Sequence, residues 1–431
     1  MTRAEQSLRT SLTVREAAEA LIADLEPLES ETVALGAALG RVLARDVLSP
    51  LALPPWANAS MDGYAVRAAD VRGARSDAPV VLPVIATIAA GGLADSPLVP
   101  GTAMRIMTGA PVPAGADSVI RVEDTNRGDA EVLIADARDA GRNVRPMGED
   151  LEAGDVAVAA GTVIGPAQLG VLASIGAVRL EVHRRPRVAV LATGDELVDV
   201  DEFDEVLAGR RIVSSNSYTL RASAQLAGAD VVDLGRCGDS RQKLRERLEH
   251  ARVAGYDLLL TSGGVSVGTF DFTREVLREL GADMRFWRVR IRPGGPLGFG
   301  LLGDTPWLGL PGNPVSAMVT FELFARPAIR RLRGERRVFP GPFIATLDED
   351  VTISAPLTHF LRVTLRPDDG GVIHARLTGP QGSGLLTSMS RADALLVVPL
   401  DQFGRGPVPA GATLPALPLG ESSLLTEELM L

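Results

Sequence analysis

One cysteine, four histidines and a single lysine in 431 residues leave little from which to build several common kinds of site. The lone Cys237 excludes a disulfide within the chain and fits a reducing compartment. With so few soft ligands, a zinc centre is not expected. No run of the sequence approaches the roughly 18 uninterrupted apolar residues of a membrane-spanning helix. The opening Met-Thr-Arg-Ala-Glu-Gln-Ser has no apolar core of a secretory signal, so the chain is read as cytoplasmic. A net charge of −10 argues against a general nucleic-acid binder. Lys243 is the only lysine among 44 basic residues. Arginine where another protein has lysine is therefore discounted as drift, although the two differ at a close contact.

What is present describes a multidomain globular chain, too long for one core and 46% hydrophobic. Residues 12–26 repeat apolar positions at helical spacing, with Thr13 as N-cap and Pro27 as a stop. Residues from about 50 to 145 are rich in Gly and Pro with short alternating runs at 79–86 and 118–122, the pattern of a β-domain with many turns. Short strands and an apolar helix near 166–175 follow. Between 184 and 333, strand candidates at 187–191, 230–234 and 257–260 alternate with helix candidates at 217–226 and 240–253. Asp239 and Ser240 both qualify as N-cap of the second helix. Such alternation predicts a parallel sheet with helices on both faces. From about 338 the chain reads as a small β-domain of short strands and turns.

The segment Thr261-Ser-Gly-Gly-Val-Ser-Val-Gly268 joins a buried strand to a helix predicted over 271–280. Several backbone N–H groups then converge beside the positive end of a helix, which suits a phosphate or another oxyanion. A tight turn without ligand has the same outline, but two glycines with two serines favour the anion. Ligands of such sheets bind at the carboxyl ends of strands. Three other strand ends also carry polar sequence: Thr193-Gly-Asp-Glu196, Cys237-Gly-Asp239 and Pro311-Gly-Asn-Pro-Val-Ser316, the last leading into a long helix. One mouth of the sheet would gather Asp195, Glu196, Asp239 and Asp271 beside an anion cradle. Carboxylates there usually mean Mg²⁺. Asp239 fits helix capping alone, and Asp271 fits capping or metal equally. Glu196 has no obvious capping role. Two further segments, 58–66 and 104–117, read on their own as β-turn chemistry.

Seven motifs in order nevertheless resemble the molybdopterin molybdenumtransferase family, MoeA in bacteria, which includes the E domain of gephyrin. They are Met61-Asp-Gly-Tyr-Ala65, Arg105-Ile-Met-Thr-Gly-Ala-Pro-Val-Pro113, Arg145-Pro-Met-Gly-Glu-Asp150, Thr193-Gly-Asp-Glu196, Ser262-Gly-Gly-Val-Ser-Val-Gly268, Leu310-Pro-Gly-Asn-Pro-Val-Ser316 and Gln381-Gly-Ser383. The resemblance implies an elongated homodimer of four-domain subunits. A linker and dimerisation domain (1–50 with 148–183) would carry a β-rich insertion (51–147). A central parallel-sheet molybdopterin-binding α/β domain (184–333) and a small β-barrel-like domain (338–431) would follow. The site would lie between the α/β domain of one subunit and the β-rich part of the other. The implied reaction takes adenylylated molybdopterin and molybdate with Mg²⁺, releases AMP and leaves molybdenum on the dithiolene.

Carried over by motif, Asp62, Thr108, Glu196, Asp239 and Asp271 are the catalytic candidates, with Glu196 and Asp271 as the metal pair. Ser262, Gly263, Gly264 and Ser266 would hold the phosphate. Thr193, Gly194, Asp195, Arg292, Pro311, Gly312, Asn313, Pro314, Ser316 and Ser383 would complete the substrate contacts. Three positions depart from the family pattern. Gly295 replaces a lysine in Arg292-Pro-Gly-Gly-Pro296, Leu357 stands where an arginine commonly precedes Phe-x-Arg, and Ala57 replaces an aspartate. Both missing cations belong to the molybdate region. Arg290, Arg292 and Arg362 are the candidates to compensate. The alternative is a gephyrin-like scaffold that keeps the fold and binds a partner protein.

Overall fold

A capping box starts the first helix, α1 (Val14–Ala23): Thr13 Oγ1 accepts the Glu16 N–H, and Glu16 accepts from the Thr13 backbone in return. The computed structural model describes residues 11–264, 272–403 and 406–420. After α1 the chain forms β1 (Ser30–Ala34) and β2 (Val47–Leu48). An inserted five-stranded sheet follows: β3 (Gly63–Val66), β4 (Val80–Ile88), β5 (Ala103–Ile106), β6 (Ser118–Arg121) and β7 (Glu131–Ile134), in the order β6-β3-β5-β4-β7. Apolar clusters cover both of its faces, around Tyr64 and Ile120 on one side and Met104 and Val119 on the other. The chain then returns through β8 (Val156–Val158), α2 (Pro166–Ser174) and β9 (Arg179–His183). Here β9 pairs antiparallel with β1, and β8 with β2. Leu43, Val158, Leu172 and Val182 share one core, so two distant stretches of sequence form one body.

The central layer comprises β10 (Arg187–Thr193), α3 (Ser215–Leu226), β11 (Asp230–Cys237), α4 (Arg241–Val253), β12 (Leu258–Ser262) and α5 (Thr273–Glu279). It continues with β13 (Asp283–Arg288), β14 (Ile291–Arg292), β15 (Pro296–Leu302) and β16 (Thr305–Leu310). Sheet order is β11-β10-β12-β16-β15-β13. The parallel sheet expected from the alternation is present as four strands of a mixed sheet. The four strands β11, β10, β12 and β16 are parallel, but β15 and β13 run antiparallel at one edge. They are joined to β16 and to each other by short turns with no crossover helix, and a short connection permits only antiparallel pairing. Helices do cover both faces. Val188 and Val190 of β10 pack into a core with α1 and α3, while Ala189 and Leu191 face α4 and α5. The helix α3 begins at Ser215, two residues earlier than its apolar spacing suggests.

After β16, α6 (Pro314–Thr320) runs through a π-helical turn at Phe321–Ala325 into α7 (Arg326–Leu332), the long helix expected there. The last part contains β17 (Phe343–Leu347), β18 (Thr358–Pro367), β19 (Ile373–Leu377), β20 (Ala394–Val398) and β21 (Thr413–Pro418). The order β18-β19-β17-β21-β20 closes because β18 also pairs β20, giving a five-stranded barrel. Strand β14 pairs with β18, joining the barrel to the central domain. No helix among the described residues is long and apolar enough to cross a membrane.

Candidate active site

Because β10, β11, β12 and β16 are parallel, their carboxyl ends Thr193, Cys237, Ser262 and Leu310 emerge along one edge. A cleft of about 580 Å³ opens there. Of the sequence candidates, Thr193, Gly194, Glu196 and Asp239 line its one side. Ser262, Gly263 and Gly264 lie at its floor, and Pro311, Gly312, Asn313, Pro314 and Ser316 form the opposite wall.

The glycines are required by geometry. Gly263 and Gly264 have φ of +88° and +64°, which side-chain-bearing residues rarely adopt. A Cβ on Gly263 would sit 2.6 Å from the Thr193 carbonyl oxygen, and one on Gly264 would collide with Thr273 Oγ1. The turn is held by the Gly263 N–H on the Leu310 carbonyl at 3.1 Å and by Thr193 Oγ1 donating to the Ser262 carbonyl at 3.2 Å. Gly312 lies beside this turn, where a Cβ would rest at ordinary contact distance, 3.6 Å, from Gly263 Cα. Ser266 and Asp271 lie outside the described residues.

Glu196 is exposed at the mouth, its carboxylate folded back over Gly194, where a Cβ would lie 2.5 Å from Glu196 Oε2. Among the described residues nothing donates to that carboxylate. Asp195 and Asp239 tie the first two strand ends together. The Asp239 N–H donates to Asp195 Oδ1 at 3.0 Å, and the Asp195 N–H to Asp239 Oδ2 at 3.4 Å. Ser240, not Asp239, caps α4, accepting the Lys243 N–H at 3.4 Å. Cys237 at the end of β11 is buried, and burial pushes its thiol up.

Other candidates stand apart from the cleft wall. Ser383, in the barrel, receives Asn313 Nδ2 on its hydroxyl at 3.1 Å and the Val315 N–H on its carbonyl at 3.0 Å. Arg292 donates to Ser354 Oγ at 2.9 Å and is exposed. Arg362 is 1% exposed, and burial pushes its guanidinium down to about 10. It donates to Ser388 Oγ at 3.1 Å and to the Gly382 carbonyl at 3.0 Å. Arg290 has a buried Nε with no partner among the described residues. Asp62 and Thr108 lie together in the inserted sheet domain, where Thr108 donates its N–H and its hydroxyl to Asp62 Oδ1. The N–H first and the hydroxyl second hold the Asp62 carboxyl below its ordinary range.

Sequence reasoning missed Asn216, which lines the cleft and is 8% exposed. Its Nδ2 donates to Ser262 Oγ at 2.7 Å and to the Gly312 carbonyl at 2.8 Å. The available signal was position: Ser215-Asn-Ser217 opens a helix on the strand-end side of the sheet, where ligands gather.

Residues 12–176 match the family pattern for the MoeA N-terminal region (domain I and II), 189–331 that of a probable molybdopterin binding domain, and 345–419 that of the MoeA C-terminal region (domain IV). The chain is 40% identical over 379 residues to molybdopterin molybdenumtransferase 2 of Mycobacterium tuberculosis, covering 86% of this chain and 91% of that protein. It is 33% identical over 425 residues to the molybdopterin molybdenumtransferase of Staphylococcus aureus, covering 98% and 99%. The crystal structure of the molybdopterin biosynthesis moeA protein from Pyrococcus horikoshii OT3 superposes with a TM-score of 0.82 at 28% identity, covering 95% of this chain and all (100%) of that one.

Proposed function

The chain belongs to the molybdopterin molybdenumtransferase family, and from that premise we propose that its cleft inserts molybdenum from molybdate into adenylylated molybdopterin, with release of AMP. The observation that carries this reading is the Ser262-Gly263-Gly264 turn sharing one cleft with the carboxylate of Glu196, which has no donor among the described residues. The turn supplies backbone N–H groups to the phosphate, at glycines that leave the approach open.

Glu196 and Asp239 are hard oxygen donors at the same mouth, which is the chemistry Mg²⁺ takes together with phosphate oxygens and water. The described residues contain no group of three metal-ligating side chains, so most of the shell would come from substrate and solvent. Bound there, Mg²⁺ would neutralise charge as the pyrophosphate link to AMP breaks. Glu196 orients the phosphate side of the substrate, and the Asp195–Asp239 pair keeps the adjacent loop in place.

The oxyanion end lies at Asn313, Ser316 and Ser383, where the barrel turn meets α6. Of the three arginines considered, Arg362 backs that turn through Gly382 and has no carboxylate partner among the described residues. It replaces part of the field lost with the cations absent at Gly295 and Leu357. In a homodimer, Asp62 and Thr108 would face the cleft of the second subunit.

The missing cations are also what a scaffold that binds a partner protein would show, so the test must separate the two. Expression in a bacterial strain lacking the transferase should restore cofactor formation, and Glu196→Gln should abolish it while light scattering still reports a dimer. Failure of the wild type to complement at high molybdate would favour the scaffold. A monomer mass would sink the cross-subunit site.

A further inference from the structure

We propose that Asn216 is a positioning residue: its carboxamide clamps the phosphate-binding turn to the opposite wall and so sets the width of the cleft. The inference rests on the reading of the cleft as a nucleotide site. Both amide hydrogens are committed, one to Ser262 Oγ at 2.7 Å and one to the Gly312 carbonyl at 2.8 Å. The orientation is determined chemically. The Gly312 carbonyl can only accept, so the atom facing it is the nitrogen. Ser262 Oγ sends its own proton to the Pro311 carbonyl at 3.4 Å and is thereby left to accept from Asn216.

These three bonds bridge the loop after β12 and the loop after β16, the same pair linked by the Gly263 N–H on the Leu310 carbonyl. Among the described residues no other side chain donates to both. Asn216 Oδ1, by contrast, is sealed from solvent and has no donor among the described residues. A buried amide with one orphaned end is a poor choice for stability alone, because that oxygen bears its desolvation uncompensated. What Asn216 contributes here is its two donors. It stands on α3, anchored in the main core through Leu220 and Ala224, so the clamp is held by a rigid element.

The test uses the full-length protein, with AMP plus Mg²⁺ as the calorimetric probe and adenylylated molybdopterin for turnover. Asn216→Ala removes both donors. Asn216→Asp keeps the volume but sets a carboxylate oxygen against the Gly312 carbonyl. Each is expected to weaken AMP and raise KM by about tenfold or more. kcat should fall much less, because Glu196 is untouched. Ser262→Ala combined with Asn216→Ala should cost less than the sum of the singles, since one bond is shared. A melting temperature near wild type keeps the comparison valid, and if Asn216→Asp fails to fold, Asn216→Ala carries the test. Wild-type affinity in Asn216→Ala, or strict additivity with Ser262→Ala, overturns the inference. A wild type that binds neither AMP nor the pterin nucleotide overturns instead the reading on which it rests.

Discussion

Thr108 gives both its backbone N–H and its hydroxyl to a single oxygen of Asp62, each at 2.7 Å, across 46 positions of sequence. This joins the Met61-Asp-Gly-Tyr turn to the Arg105–Pro113 segment. It also leaves Asp62 Oδ2 without a partner among the described residues. Gly63 is required beside it, because a Cβ there would collide with the Ile120 carbonyl.

Asp62→Asn should therefore separate chemistry from structure. The amide oxygen can still accept both Thr108 donors, so the variant should fold with a melting temperature only slightly below wild type at neutral pH, while molybdate-dependent turnover is lost. The folded carboxyl lies below its ordinary value, so what ionisation contributes is present above the unfolded pKa of about 3.9 and is lost as pH falls through the lower folded one. Wild type should then be modestly more stable than the variant near neutral pH, and the two should converge as pH falls through the folded value. Full turnover in Asp62→Asn would remove this residue from the site.

Gly264→Ala should damage both folding and binding. The left-handed conformation alone costs about 1–2 kcal/mol for a side-chain-bearing residue, and the collision with Thr273 Oγ1 adds to it. Gly295→Ala is the control. Its Cβ would rest 3.5 Å from the nearest carbonyl oxygens, with no positive φ to strain it. Thermal melts should show a clear drop for the first and almost none for the second.

That room at Gly295 makes a gain of function testable. A Cβ fits there at ordinary contact distance, and Leu357 is only partly buried. Gly295→Lys with Leu357→Arg should lower the molybdate concentration needed for half-maximal turnover by about tenfold or more, as each charge-assisted contact contributes about 1.5–3 kcal/mol. An unchanged requirement would mean that other groups, Arg362 first, already satisfy the anion.

In the barrel, His374 lies between two carboxylates, Nδ1 on Asp348 Oδ1 at 2.8 Å and Nε2 on Asp368 Oδ2 at 3.3 Å. Asp348 first and Asp368 second raise its pKa. A raised folded pKa stabilises fully below the unfolded value of about 6.5, and that contribution is lost as pH rises through the folded value. The melting temperature of His374→Gln relative to wild type should be lower at pH 5.5 and should converge above pH 8. A constant gap would show that His374 acts by packing alone.

Much of the cleft could be read directly because its parts are local. Glycines before a helix, a Thr13–Glu16 capping box and the Pro311–Ser316 turn each state their conformation within a few residues. The mixed sheet could not be read so easily. The apolar run of β15 looks the same whether it pairs parallel or antiparallel, and only the short connection to β16 settles the direction.

By itself, then, the sequence determined which segments turn, cap and alternate, and through seven motifs in order it determined the family. The tertiary structure decided what each polar side chain is able to do. It buried Arg362 behind the Gly382 turn, set Arg292 on Ser354, left Glu196 without a donor among the described residues and stretched Asn216 between two loops. Those outcomes depend on which distant groups reach hydrogen-bonding distance once the layers pack. No local periodicity carries that information, because the partners of Asn216 lie 46 and 96 residues away.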